Sequence, residues 1–170
     1  MRLDRLVMLG LAAAFLAACK EEGEVYDRPP DQVRDLLRTT ELPLYVFGSS
    51  ADIDAVLDTS DPARLAWKIL ADGSNVMKVI VTLTPEDSQK TRVVIDVEGA
   101  RHGKYGDVEA RFGKLPAVRN LYLASMTEAV DSTLDGRAYD ITATYPALMS
   151  AAAANANRLF PPDPIEPGPS

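Results

Sequence analysis

Alternation of apolar and polar positions is the clearest signal along this chain. Between 65 and 69, Leu65, Trp67 and Ile69 are separated by Ala66 and Lys68, the period of a strand with one face buried. Asp72-Gly73 follows, a pair suited to a tight hairpin turn. In 76–84, Met77, Val79, Val81 and Leu83 share a face opposite Lys78, Thr82 and Thr84. After a polar reversal at 85–89, the run 91–98 sets Val93, Ile95 and Val97 against Arg92, Asp96 and Glu98. Three such runs joined by short turns predict an antiparallel meander with one wet face. The segment 42–47, Leu-Pro-Leu-Tyr-Val-Phe, is expected to add a strand ended by Gly48-Ser49-Ser50, and 107–112 offers a short edge strand within a polar, Gly-punctuated stretch. Residues 51–61 read two ways: Ile53, Val56 and Leu57 fit one helical turn, while Asp52, Asp54, Asp58 and Asp61 suit a solvated loop.

Helical periodicity flanks the meander. Pro29 and Pro30 suit a first turn, and Val33, Leu36 and Leu37 then recur at i, i+3 and i+4, predicting a helix to about 39 or 40. From Pro116, the positions Val118, Leu121, Tyr122, Ser125 or Met126, Ala129, Val130 and Leu134 trace a longer stripe that ends at Gly136, a natural C′ residue. A further helix is predicted from Tyr145-Pro146 through the alanines 151–154 to Phe160. Five prolines in 161–170 stop it there and leave an extended tail. The expected fold is one α+β domain over 25–160, an antiparallel sheet of about 4–6 strands covered on one face by helices from both ends of the chain.

The first 24 residues have a different character. Arg2 and Arg5 precede an uncharged apolar run at 6–18, which stops at Cys19 before Lys20, Glu21 and Glu22. That is a secretory n-region and h-region, short of the roughly 20 apolar residues a spanning helix requires. Leu16-Ala17-Ala18-Cys19 resembles the lipobox of bacterial lipoproteins. The resemblance implies cleavage between Ala18 and Cys19, a diacylglycerol on the Cys19 thiol and acylation of the new amino group. Two or three chains hold a protein on a membrane far more durably than one. Residues 1–18 are then a signal peptide, 19–24 the lipidated Cys and its tether, and the mature protein is anchored to the membrane without spanning it. Lys20 stands where an Asp favours inner-membrane retention in the enteric lipoproteins, so the expected address is the inner leaflet of the outer membrane, facing the periplasm.

Charge and composition narrow the chemistry. The 18 basic and 25 acidic side chains give a net charge of −7; without residues 1–18 the counts become 16 and 24, or −8. Such a body gathers no nucleic-acid phosphates and is repelled by anionic headgroups, which leaves the lipid as its hold on the membrane. One Cys and one His exclude a disulfide framework and a Cys-rich zinc site. His102 lies in Ala-Arg-His-Gly-Lys, a polar loop context that reads as solvated rather than catalytic, and no nucleophile elbow, Ser-x-x-Lys pair or phosphate-binding Gly loop occurs. Glu128, Asp131 and Asp135 fall near one another on the long helix and read as a solvated acidic face. Asp52, Asp54 and Asp58 lack the Gly and final Glu of a calcium loop. Neither a metal nor a cofactor is expected.

The segment 26–33, the Trp-bearing strand and the later amphipathic helix together resemble, in order of elements over 26–135, the helix-grip fold of START-like lipid-binding and polyketide-cyclase-like proteins. The resemblance implies an apolar cavity between sheet and helix, for which Trp67, Met77, Tyr45 and Phe47 are the candidate lining; their alternative is plain core packing. The expected function is non-catalytic: a lipid-anchored periplasmic envelope protein with a protein-interaction or structural role and other envelope proteins as partners. Binding of a small apolar ligand or lipid is the second reading, and an enzyme the third.

Overall fold

The computed structural model describes residues 23–47 and 52–159. The Ala18-Cys19 cleavage and lipidation site, the tether as far as residue 22 and the proline-rich tail lie outside the described residues. Five antiparallel strands, β1 (Glu24–Tyr26), β2 (Ile53–Asp58), β3 (Arg64–Ala71), β4 (Ser74–Pro85) and β5 (Thr91–Gly99), form one sheet in the order β1-β5-β4-β3-β2. Helix α1 (Pro30–Leu37) follows β1, while α2 (Val108–Lys114), α3 (Pro116–Asp135) and α4 (Tyr145–Leu159) follow the sheet. The architecture is α+β.

The alternating residues of the meander make the buried face. Trp67 stands beside Val79, which stands beside Val97, and all three side chains are almost wholly removed from water. Asp72 and Gly73, with φ of 50° and 72°, turn β3 into β4 as their sequence requires. Val33 and Leu37 of α1 and Met126, Val130 and Leu134 of α3 close this face from above. Each such side chain contributes roughly 1.5–3 kcal/mol by leaving water. Arg34 fastens α1 to the β2–β3 connection, its guanidinium donating to the carbonyls of Thr59, Asp61 and Pro62 at 2.5–2.8 Å.

Four local expectations are corrected. Leu44–Phe47 is a 3₁₀ turn rather than a strand, because Pro43 lacks an N–H for a ladder and its carbonyl instead accepts from the amide of Val46 at 3.1 Å. Leu42, Leu44, Val46 and Phe47 still pack against the core, but from a loop. The ambiguous stretch contains strand β2: Ile53, Ala55 and Leu57 pack against the core at period two while Asp54 and Val56 are exposed, so the helical-turn reading of Ile53, Val56 and Leu57 fails. Segment 107–112 lies largely in helix α2, beginning at Val108, not in an edge strand. Gly99 makes room for it, since a Cβ there would stand 2.4 Å from the amide nitrogen of Glu109. Lastly, pairing begins at Glu24, inside the expected tether, where β1 joins the edge of β5.

Because Trp67 is 4% exposed and Tyr45 57%, their truncations should separate cleanly. Trp67→Ala is expected to cost roughly 3–5 kcal/mol, whereas Tyr45→Ala should stay within about 0.5 kcal/mol. Denaturant midpoints of the two variants check this, and a mild loss at Trp67 would show that the sheet face is not a packed core.

Candidate functional site

Three places on the molecule gather chemically distinctive side chains. The first is the carboxylate row of α3, which is not the solvated face the sequence implies. Helix α3 ends where Gly136 takes a left-handed φ of 66°, with Arg137 N–H returning to the carbonyl of Ser132 at 2.9 Å and Gly136 N–H to that of Thr133 at 3.3 Å. This reversal carries Arg137 back over Glu128. The guanidinium grips both carboxylate oxygens, Nη1 on Oε1 and Nη2 on Oε2, and the amide of Asp140 donates to Oε1 at 2.8 Å. Glu128 is consequently only 7% exposed, and Arg137 holds its carboxyl below the usual range. Three residues on, the Tyr26 hydroxyl donates to Asp131 Oδ1 at 2.5 Å, tying β1 to α3 across 105 positions of sequence. Burial drives the Asp131 carboxyl above its usual range, and burial together with that hydrogen bond lifts the Tyr26 phenol. Asp135 alone of the three is exposed. Tyr26 and Asp131 close one end of an open groove of about 680 Å³ between α3 and β5, whose other end holds the Arg119–Asp96 ion pair at 2.5 Å. Tyr26 with Asp131 and Arg119 with Asp96 are thus matched within the fold, which makes the row a clamp.

The second place is a cavity of about 310 Å³ at the end of the sheet, beneath α2. Of the four candidate pocket residues it brings together two, Met77 and Phe47. Trp67 belongs to the core, and Tyr45 lies at the surface with its ring edge-on to Tyr139, 6.4 Å between centroids. His102 is exposed in the turn between β5 and α2, beside a shallow recess shared with Lys78, Glu98 and Arg101.

The third place is the outer face of α4 with the 3₁₀ turn before it. Ile141, Tyr145, Leu148 and Met149 recur at i, i+4, i+7 and i+8, yet are 46%, 49%, 45% and 69% exposed. Ala151, by contrast, is buried, and the helix packs on α3. With Tyr45, these make five of the seven large apolar side chains that the described residues expose, so the exposure is concentrated and not scattered. No charged residue occurs between Tyr145 and Asn157. Sequence reasoning missed this face although the spacing was present, because the same spacing is what a buried stripe shows. Among the described residues no helix is long and apolar enough to cross a membrane, and no group of three His, Cys, Asp or Glu is placed to hold a metal.

No family model, curated protein or solved structure matches this chain.

Buried Glu128 and half-buried Asp131 should leave opposite marks on stability. Glu128, lowered in the fold, contributes above its ordinary value of about 4.3 and loses that contribution as pH falls through the lowered one. Glu128→Gln should therefore cost roughly 1–3 kcal/mol at pH 7, with the gap to wild type narrowing below pH 4. Asp131 is raised, so its contribution is complete below about 3.9 and is lost as pH rises through the raised value. Asp131→Asn keeps an acceptor for Tyr26 and should gain on wild type as pH rises from 4 to 7. Denaturant titrations at both ends of that range test the two signs; a parallel pH dependence of the variants would contradict the clamp geometry.

Proposed function

We propose that this protein is a lipid-anchored periplasmic envelope protein of non-catalytic function, held to the membrane through Cys19 and acting by protein interaction, with the inner leaflet of the outer membrane as its address. The observation that carries the interaction reading is the uncharged apolar face of α4. An exposed cluster of this kind, rimmed by polar surface, is characteristic of protein–protein contact. A helix that lies in a lipid interface instead carries Lys and Arg along its polar side, and α4 has none from Tyr145 to Asn157. The acidic body supports the same choice, since anionic headgroups repel it. Strand β1 begins five residues after Cys19, a span of at most about 17 Å, so an anchored chain presents its domain close to the bilayer surface. That height suits a partner that is itself embedded in or bound to the envelope.

Three variants of the full-length protein in its own cells test the reading. Cys19→Ser should abolish lipid attachment and processing, leaving residues 1–18 uncleaved, as scored by intact mass; a variant that still matures at Ala18 and floats with membranes would refute the anchor. Met149→benzoylphenylalanine should yield one discrete photo-crosslinked adduct, lost when Leu148→Glu is added without a change in thermal stability. A diffuse smear, or an adduct indifferent to Leu148→Glu, would refute the interaction face.

A further inference from the structure

The cavity beneath α2 has features that core packing does not require. Most of its lining is apolar but only half-buried, including Phe47, Val118 and Tyr122, in a domain whose core side chains are otherwise sealed. The rings that wall it support one another: Phe47 stacks on Tyr122 with centroids 5.0 Å apart, and Tyr122 leans on Phe112 at 5.9 Å. A wall of stacked rings anchored on a helix loses little conformational freedom when a guest enters. At about 310 Å³ the space is twice the size of apolar cavities, about 150 Å³, that stay dry and take up benzene. It also falls within the range of small-molecule sites.

One charged side chain lines it. Arg111, on the exposed side of α2, spends Nε and Nη2 on Asp107, both at 2.7 Å, and no described residue takes its Nη1. Lys114 lies one turn further along α2, and both side chains border the adjoining surface recess, where Asp107 is the single acid. The recess beside the cavity therefore carries two cations against one acid, on a molecule that is strongly acidic overall. A guanidinium already oriented by one carboxylate is prepared to accept a second from the other side of its fork.

We infer that this cavity is a binding site for a slender amphiphile with one anionic head, a medium-chain monocarboxylate, its apolar chain lying among Phe47, Met77, Phe112 and Tyr122 and its carboxylate resting on Arg111. The site is separate from the α4 face and does not depend on the interaction role. The pairing also sets a specificity: a neutral amphiphile of equal length buries the same apolar surface but leaves Arg111 without its second partner, and so binds more weakly.

The test uses full-length protein in nanodiscs with methyl-labelled methionine, titrated with octanoate and, separately, with octan-1-ol. Met77, itself fully buried, is among the residues that line the cavity, and Met126, fully buried beneath α3 and away from it, serves as the internal reference. Octanoate should shift the Met77 signal saturably and leave Met126 in place, with octanol at least tenfold weaker. Arg111→Gln, a change at an exposed position, should weaken octanoate about tenfold without altering the response to octanol. The inference is overturned if neither compound moves Met77, if octanol binds as tightly as octanoate, or if Arg111→Gln leaves octanoate binding unchanged.

Discussion

Burial of one face of the sheet against α1 and α3 is the interaction on which the remaining structure depends. The alternating side chains of β3, β4 and β5 would be an exposed apolar surface without those helices. The polar contacts then fix how the layers sit. Arg34 holds α1 over the β2–β3 connection, and Tyr26 with Asp131 holds β1, at the sheet edge, to α3. Glu128 with Arg137 turns the chain at the end of α3, so that α4 is laid back along it as an outer layer. What looks like an acidic stripe on a helix thus acts as the fastening of three elements.

The consequence for function lies in what the clamp leaves outside. Helix α4 contributes Ala151 to the packed interior, while Tyr145, Leu148 and Met149 are exposed. At the far end of the sheet, Gly99 lets α2 approach closely, and the space beneath that short helix is incompletely filled. Both features arise where an element is added to a domain that is already closed by α3. A lipid anchor a few residues before β1 would keep both near the bilayer, within reach of envelope proteins and of the amphiphiles that a membrane releases.

The meander was legible in the sequence because period two is unmistakable when three strands repeat it, and α3 because its stripe runs for five turns and ends on a glycine. Shorter elements were not. Segment 42–47 has strand-forming residues, but Pro43, which has no N–H for a ladder, decides for a 3₁₀ turn. Segment 107–112 has too few apolar positions to show a period, and its helix depends on a glycine contact ten residues earlier in the chain. The carboxylates misled for a related reason. Helical spacing places Glu128 and Asp131 together, but the partners that bury them, Arg137 and Tyr26, arrive through a left-handed cap and through a strand 105 residues away. Of the candidate cavity, Phe47 and Met77 were found by size and apolarity, whereas Arg111, which gives the cavity its chemistry, carried no signal in one sequence.

If the domain is closed by α1 and α3, with α4 an added layer whose outer face is available to a partner, local stability must be graded across the molecule. Native-state hydrogen exchange of the full-length protein, read residue by residue against denaturant, measures that grading directly. The amides of Val79 and Val81 in β4 and of Met126 and Val130 in α3 are expected to exchange only through global unfolding, with those of Leu148 and Met149 in α4 opening at a distinctly lower free energy. Exchange of the α4 amides at the same free energy and with the same denaturant dependence as β4 would make α4 part of the cooperative core and contradict its assignment as an outer layer.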